Sequence, residues 1–133
     1  MISTKGRYAL RVMIDLASQK TDNYIPLKEI AERQQISKKY LETIVKELAN
    51  AKLVAGVSGK GGGYALSRAP EDYTVGEILE VTESSLAVVA CLDKNAAKCP
   101  RSKICATLPM WSEFNELVHN YLYSKKLSDL IEK

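Results

Sequence analysis

The sequence predicts a mainly α fold with one small β-hairpin: a winged helix-turn-helix region followed by a long C-terminal dimerisation helix. Apolar residues recur at helical spacing through most of the first 50 positions, and glycines cluster at 59–63 between two short apolar runs. A second amphipathic segment begins near Pro109. With 133 residues, 46% hydrophobic and 26% charged, the chain has the length and composition of one globular domain, which excludes a disordered or fibrous protein.

The first helices are predicted from apolar spacing and from residues that favour helix ends. A buried face at helical spacing predicts a helix over 4–18, which the polar run 19–23 ends. Pro26 opens a second, short helix that runs out near 34–36. Ser37 is a suitable N-cap for a third helix.

The third helix carries two stripes with the same spacing of i, i+3, i+4 and i+7. The core-facing stripe consists of Leu41, Ile44, Val45 and Leu48. The opposite, polar stripe consists of Lys39, Glu42, Thr43 and Lys46. Two short helices joined by a tight turn, the second with a basic and hydrogen-bonding outer face, predict a helix-turn-helix. Two amphipathic helices that merely pack together are the alternative.

The next segment predicts a β-hairpin with a cationic tip. Apolar runs at 53–57 and 63–67 are the two strands, and 58–62 is the turn. Four of the chain's seven glycines lie between residues 59 and 63; small residues at the tip let a backbone approach phosphates or a minor groove, and Lys60 supplies charge. A hairpin directly after a helix-turn-helix is typical of a winged helix. A phosphate-binding P-loop is disfavoured because the sequence lacks Gly-Lys-Ser/Thr and the strand–loop–helix order.

Charge is distributed unevenly along the chain. The net charge of +3 combines 12 Lys/Arg against 6 Asp/Glu in residues 1–70 with 7 against 10 in residues 71–133. A basic first half beside an acidic second half indicates a polyanion-binding surface joined to a module with another task; a solvated basic face is the alternative. No apolar run approaches the ~18 residues of a membrane span, and the first residues lack a signal-peptide core. We therefore expect a cytoplasmic protein without a membrane partner.

A short helix is predicted after the hairpin from its N-terminal signals. Thr74 and Glu77 form a capping box, and Tyr73 with Ile78 can form the hydrophobic staple around it. We expect this helix to begin at Val75 and to end near residue 81.

The long C-terminal helix is predicted to be an interface. Its apolar stripe consists of Met110, Phe114, Leu117 and Tyr121, widened by Trp111, Val118 and Leu122. Little of the chain remains to cover this stripe, so we expect a second copy of the protein to do so; packing within one chain is the alternative. The predicted organisation is a winged helix-turn-helix DNA-binding domain at 1–82, a cysteine-bearing sensor loop at 83–107, and the dimerisation helix with its tail at 108–133.

Three cysteines are the candidate chemical site. Cys91, Cys99 and Cys105 have the spacing C-x7-C-x5-C, which matches neither the C-x2-C pairs of structural zinc sites nor the common ferredoxin patterns. Their clustering in one aperiodic segment still allows them to converge on a metal centre. Nearby cations favour thiolates, which suit zinc or an iron–sulfur cluster. These cations are Lys94, Lys98, Arg101 and Lys103.

Together these features resemble the IscR-type (Rrf-two) family of bacterial transcription regulators, which includes an iron–sulfur cluster regulator, a nitric-oxide-sensing repressor and a cysteine-metabolism regulator. The resemblance covers essentially the whole length. It rests on Ser3-Thr4-Lys5-Gly6-Arg7-Tyr8-Ala9-Leu10-Arg11, on Pro26-Leu27 through Ile36-Ser37 with Tyr40-Leu41-Glu42, on Gly59 to Tyr64, on Tyr73-Thr74-Val75-Gly76, on the three cysteines and on Trp111.

The resemblance implies a homodimer that binds palindromic, double-stranded operator DNA, with the third helix in the major groove and the hairpin at the minor groove. It implies that Cys91, Cys99 and Cys105 hold an iron–sulfur cluster near the dimer interface, with [2Fe–2S] favoured over [4Fe–4S], and that the protein is a cluster-controlled regulator, with repression as the expected mode. The residues expected to contact DNA are Lys28, Lys38, Lys39, Tyr40, Glu42, Thr43, Lys46, Ser58, Gly59 and Lys60.

The sequence departs from the family pattern around the cluster and the wing. The first cysteine gap is two residues longer than in the iron–sulfur regulator, and Leu108 stands where that regulator has its histidine ligand. Arg7 stands where the nitric-oxide sensor has a ligating carboxylate, so the fourth ligand is unassigned. Ser58 replaces an arginine that leads the wing in many relatives. The candidate fourth ligands are His119, whose plainer interpretation is a helix-face histidine, Asp93, Thr107, and an exogenous thiol or water.

Two alternatives keep the DNA binding but dispense with the cluster. In one, the cysteines are a thiol switch controlled by oxidation. In the other, the acidic half docks a protein effector such as a metabolic enzyme, and the cysteines are not needed. An enzyme is not expected, because the sequence offers no nucleophile–base pair and only one histidine.

Overall fold

The computed structural model describes residues 2–19 and 23–131. Residues 20–22 of the predicted polar run, and Met1, Glu132 and Lys133, lie outside the described residues. The described α-helices are α1 (Thr4–Ser18), α2 (Leu27–Gln34), α3 (Lys38–Asn50), α4 (Val75–Thr82) and α5 (Leu108–Ser124). The strands are β1 (Val54–Val57) and β2 (Gly63–Leu66), and single 3-10 turns occur at Pro70–Asp72, Ala90–Leu92 and Leu127–Leu130. This architecture confirms the predicted mainly α fold with one hairpin.

The helix-turn-helix forms as the apolar spacing predicts. The fully buried residues of α3 are the predicted stripe, Leu41, Ile44, Val45 and Leu48. Gln35 ends α2 in the left-handed conformation with φ 53°, and the buried Ile36 fills the turn. The Ser37 hydroxyl then accepts a hydrogen bond from the Tyr40 amide at 3.2 Å, which confirms the predicted N-cap.

An ion pair with a buried carboxylate joins α1 to α2. The Asp15 carboxylate is 3% exposed and accepts two hydrogen bonds from the Arg33 guanidinium, at 2.9 and 3.0 Å. The Gln34 amide donates a third at 2.9 Å. The hydrogen bond to Asp15 raises the pKa of Arg33 above its ordinary value, against the opposing effect of burial. This pairing satisfies a carboxylate that would be costly to bury alone.

The hairpin is shorter than predicted and is joined to the body on its other edge. β1 and β2 pair antiparallel from Val54↔Leu66 to Val57↔Gly63, so the predicted strand ends at 53 and 67 lie outside the ladder. Ile25 pairs with Tyr64 through two backbone hydrogen bonds of 2.8 Å. A Cβ on Gly63 would lie 2.2 Å from the Ile25 carbonyl oxygen, so glycine is required for this close approach. The wing is thus hydrogen-bonded to Ile25, two residues before the start of α2.

Tyr73 joins the end of the hairpin to the start of α4 and to the segment that follows α5. Its buried hydroxyl donates to the Leu53 carbonyl at 2.6 Å and accepts from the amides of Ser67 and Arg68 at 3.0 Å each. The predicted capping box at the start of α4 is present, since Thr74 and Glu77 each accept from the other's backbone amide.

The chain returns to the winged region after α5, which the sequence did not predict. Leu127 is fully buried in the core cluster, and its amide donates to the Tyr73 carbonyl at 3.1 Å. The Val75 amide donates to the Lys125 carbonyl at 2.8 Å. The Tyr123 ring packs on Gly76, where a Cβ would lie 2.6 Å from the ring. No helix among the described residues is long and apolar enough to cross a membrane.

Candidate nucleic-acid interface and cysteine site

The outer face of α3 is an exposed surface of mixed charge. Its buried stripe fixes the rotation of the helix, so the opposite stripe points away from the core. Nine of the ten residues expected to contact DNA are exposed: Lys28, Lys38, Lys39, Glu42, Thr43, Lys46, Ser58, Gly59 and Lys60. Tyr40 is the exception. It is half-buried, with its ring edge-to-face against Tyr8 and ring centroids 5.6 Å apart.

An open groove of about 430 Å³ separates α3 from the hairpin. Glu42 and Lys46 line it from the helix, and Ser58 lines it from the wing. Asn50 and Tyr64 also line this groove, although the sequence analysis did not single them out. Asn50 lies one helical turn beyond Lys46, so helical spacing could have indicated it. The groove therefore combines donors, acceptors and a cation, the groups that contact phosphates and base edges.

The tip of the wing is formed by glycines with unusual backbone conformations. Gly59 and Gly61 have φ of 90° and 78°, and no atom lies within 4 Å of a Cβ built on either. The Gly62 amide closes the turn on the Gly59 carbonyl at 3.0 Å. Between them, Lys60 is exposed. The tip is thus a compact turn whose only charged side chain is a cation.

Helix α1 supports the helix-turn-helix from behind. Lys5 forms an ion pair with Glu47 on α3. Arg11 donates to the Gln34 side chain at 3.2 Å and also to the Gln34 carbonyl. Together with the Tyr8–Tyr40 contact, these bonds make α1 a platform for both helices of the pair.

The three cysteines line one small cavity. Cys91, Cys99 and Cys105 surround a largely apolar space of about 160 Å³ together with Lys98 and Leu108. All three thiols are free; Cys91 is exposed and the other two are half-buried. The sequence spacing of the cysteines does not require this convergence. Most of residues 91–105 form irregular turns, in which no regular repeat would bring the three side chains together.

The fit of these residues to a thiolate-bound metal group is good in chemistry and incomplete in arrangement. Three thiols at one cavity are donors of the kind that an iron–sulfur cluster uses. Among residues 2–19 and 23–131, however, no three Cys, His, Asp or Glu side chains stand close enough to hold a metal ion without rearrangement. The Thr107 hydroxyl, 3.4 Å from the Cys105 Sγ, lowers the pKa of that thiol by hydrogen bonding to its thiolate, assisted by backbone amides.

The candidate fourth ligands lie in different places. Leu108, which stands in place of the family's histidine ligand, lines the cysteine cavity. Of the candidate ligands, Thr107 contacts Cys105. His119 and Asp93 instead line a neighbouring cavity of about 210 Å³, and the His119 Nδ1 hydrogen-bonds to the Asn115 carbonyl at 2.8 Å. The exposed Arg7 donates to Thr4 at 3.2 Å.

The apolar stripe of α5 is uncovered. Its four predicted members, Met110, Phe114, Leu117 and Tyr121, are 45–66% exposed. No residue of α5, which lies wholly within the described chain, is fully buried. The residues predicted to widen the stripe, Trp111, Val118 and Leu122, are instead half-buried, and Leu122 packs within the chain against the small cluster of Val75, Leu79 and Leu86. A row of exposed large apolar side chains is typical of an interaction surface.

Comparison with known proteins identifies related chains over almost the whole length. Residues 2–133 match a family model described as Rrf2, iron-dependent transcriptional regulator. The chain is 34% identical over 130 residues to the HTH-type transcriptional regulator IscR of Erwinia tasmaniensis, covering 98% of this chain and 78% of that protein.

Two solved structures are similar in both sequence and shape. CymR, the global cysteine regulator of B. subtilis, has a TM-score of 0.78 and 36% identity, covering 98% of this chain and 95% of that one. IscR of T. potens has a TM-score of 0.76 and 35% identity, covering 98% of this chain and 85% of that one.

Proposed function

We propose, because the chain belongs to the Rrf2 family of DNA-binding transcriptional regulators, that it binds operator DNA as a homodimer and senses a signal through Cys91, Cys99 and Cys105. Members of this family regulate transcription and are not enzymes. The observation that carries the sensor proposal is the single cavity lined by all three thiols, because nothing in the local turns requires three separated cysteines to meet.

In this proposal α3 enters the major groove of the operator and the wing approaches the adjacent minor groove. Lys39 and Lys46 contact phosphates, while Glu42 and Thr43 offer an acceptor and a hydroxyl to base edges. Tyr40 is held against Tyr8 and positions the first turn of α3. Lys28 and Lys38, at the starts of α2 and α3, add phosphate contacts, and Ser58, Gly59 and Lys60 do so from the wing.

The exposed stripe of α5 pairs with the same stripe of a second copy. A two-fold interface of this kind matches a palindromic operator, since two recognition helices must reach half-sites about 34 Å apart. The winged region at 1–82 then reads DNA, the segment 83–107 senses the signal, and 108–133 joins the two copies. Operator binding near a promoter represses transcription by excluding other proteins from it.

The three cysteines hold an iron–sulfur cluster, and [2Fe–2S] is favoured over [4Fe–4S]. Such a cluster supplies reversible redox chemistry and reactivity toward oxidants and nitric oxide. The chain's own part is to bring three thiolates together at the cavity and to exclude water with Leu92 and Leu108. Support comes from the iron-dependent description of the family and from the similarity to IscR proteins.

A second candidate keeps the regulator and omits the cluster. It is favoured by the similarity to the global cysteine regulator CymR and by the three free thiols of the described chain. The cysteines would then be oxidised reversibly, or a docked protein effector would control DNA binding without them.

Anaerobic purification separates these candidates. We expect wild-type protein to be brown, with a visible absorption band and matching iron and sulfide contents, and the Cys99→Ser variant to lose both. A colourless wild type after anaerobic reconstitution would contradict the cluster. If peroxide then abolished DNA binding and a reductant restored it, the cysteines would be a thiol switch and not cluster ligands. If a variant with all three cysteines replaced by Ser kept both DNA binding and its regulation, the protein effector would be favoured.

A further inference from the structure

A carboxylate from the start of the cysteine-bearing segment closes the N-terminus of α1. Glu83 directly follows α4, and its Oε1 accepts hydrogen bonds from the Ser3 amide at 2.8 Å and the Ser3 hydroxyl at 2.7 Å. Ser3 is also the N-cap of α1, since its Oγ accepts from the Gly6 amide at 3.1 Å. A negative charge at a helix N-terminus is stabilised by the unpaired amides there. Glu83 therefore completes the cap from 80 positions away.

The first turn of α1 is shaped around this carboxylate. Gly6 is buried within the helix, where glycine is less favourable than alanine by about 1 kcal/mol. A Cβ at this position would lie 2.1 Å from the Glu83 Oε1 and 3.3 Å from the Leu79 Cδ2. The glycine thus leaves the space that the Glu83 carboxylate occupies.

The same end of α1 holds the recognition helix. Lys5 pairs with Glu47 near the end of α3, and Tyr8 packs against Tyr40 in its first turn. The second oxygen of Glu47 is buried and, in the described chain, has no hydrogen-bond partner. The position of Glu47 consequently depends on Lys5, so a shift of the first turns of α1 reaches both ends of α3.

We infer that Glu83 is a positioning residue that transmits the state of the cysteine-bearing segment to α3 through the N-terminus of α1. The inference rests on the proposed sensor function. Rearrangement of the segment moves Glu83, and the loss of its two hydrogen bonds releases Ser3 and the first turn of α1. Lys5 and Tyr8 then move, and α3 is no longer held in the orientation that fits the major groove.

The test is a double-mutant cycle on DNA affinity. Glu83→Gln keeps the size of the side chain and removes its charge. It is combined with a variant in which all three cysteines are replaced by Ser. Binding is measured on a 30-bp duplex that the wild-type protein enriches from a random pool. We expect cysteine replacement to change the Kd for DNA of the protein that retains Glu83. In the Glu83→Gln variant, the factor by which cysteine replacement changes the Kd should be smaller by about fivefold or more, and fivefold is the lower end of allosteric couplings.

Glu71→Gln is the matched control, because it removes the same charge at an exposed position in the 3-10 turn that precedes α4. It should leave the effect of cysteine replacement unchanged. Amide exchange gives a second readout that needs neither DNA nor cysteines: residues 4–8 and 38–47 should exchange faster in Glu83→Gln than in Glu71→Gln, with thermal unfolding confirming that both variants fold.

The outcomes are distinct for the two proposals. If cysteine replacement alone leaves the Kd unchanged, the sensor function is wrong and no signal exists for Glu83 to transmit. If cysteine replacement changes the Kd by the same factor with and without Glu83→Gln, the sensor stands and the role of Glu83 is overturned. Unchanged exchange in α3 of Glu83→Gln would also overturn it, whatever the cysteines do.

Discussion

In residues 3–82 every α-helix buries apolar side chains, whereas among residues 83–124, all of which the structure describes, Leu86 is the one buried side chain. Buried polar groups of the winged region find partners within it, as the Asp15–Arg33 pair and the Tyr73 hydroxyl illustrate; the second Glu47 oxygen is the exception in the described chain. The later region has three free thiols around a cavity and an uncovered apolar helix. The first region is complete within one chain. The second has the features of a structure that other components complete.

Matched large-to-small substitutions give the largest expected contrast between the regions. Ile44→Ala removes a fully buried side chain from α3 and should lower the free energy of unfolding by about 2–5 kcal/mol. Leu117→Ala, at a side chain 66% exposed in the monomer, should leave the unfolding of isolated chains almost unchanged and should weaken the proposed dimer. Urea unfolding and sedimentation at several protein concentrations measure both effects. Equal destabilisation of the monomer by the two variants would contradict this contrast.

A smaller effect is expected from the polar joint inside the winged region. Arg33→Ala leaves the buried Asp15 carboxylate with the Gln34 amide alone and should cost about 2 kcal/mol of stability. Loss of one partner of a buried pair commonly costs ~3–5 kcal/mol, and the 35% exposure of Arg33 reduces this figure through solvent screening. Arg33→Ala combined with Asp15→Asn should recover part of the loss in the same urea unfolding assay. No recovery would mean that the pair is not what joins α1 to α2.

Substitution of the lysines on the outer face of α3 should weaken DNA binding to the same extent on all DNA sequences. Lys39→Ala and Lys46→Ala should each weaken binding to every duplex and reduce the salt dependence of log K by about one unit per lost phosphate contact. Titration of labelled duplexes at several salt concentrations gives the slope, with Lys125→Ala, outside the winged region, as a control. A change confined to one sequence would show that the lysine reads bases instead.

Glu42→Ala should have the smallest effect on overall affinity and a specific effect on sequence preference. An acceptor in the major groove can read the amino group of cytosine, so its loss should relax selection at one position of each half-site by about 1–3 kcal/mol. Enrichment from a random duplex pool, compared between wild type and variant, measures this preference. Equal weakening on all sequences would contradict base reading by Glu42.

Local patterns predicted most of the fold, because helices and caps depend on neighbours in sequence. Apolar spacing placed the buried stripe of α3, and Ser37 and Thr74 cap the helices that they were expected to cap. Three contacts had no local signal: Ile25 with Tyr64, Glu83 with Ser3, and the burial of Leu127. These contacts join distant positions, and no periodicity reports them.

The candidate sites divide in the same way. The residues on the outer face of α3 follow from helical spacing, and nine of the ten expected DNA contacts are exposed. Asn50 and Tyr64 were missed because the groove they line exists only once the hairpin folds beside α3. For the cysteines, spacing indicated a shared site but could not place Cys91, Cys99 and Cys105 around one cavity, nor separate His119 from it.

The anchored exit of α5 has a mechanical consequence. The Tyr123 ring seated on Gly76, the hydrogen bond to the Lys125 carbonyl and the buried Leu127 clamp this helix to the winged body at its C-terminal end. Its other end, at Leu108, meets the cysteine cavity without a comparable attachment among the described residues. A helix that is held at one end moves most at its other end. In the proposed dimer, a small displacement at the thiols would therefore change the angle at which the two copies of this 17-residue helix cross.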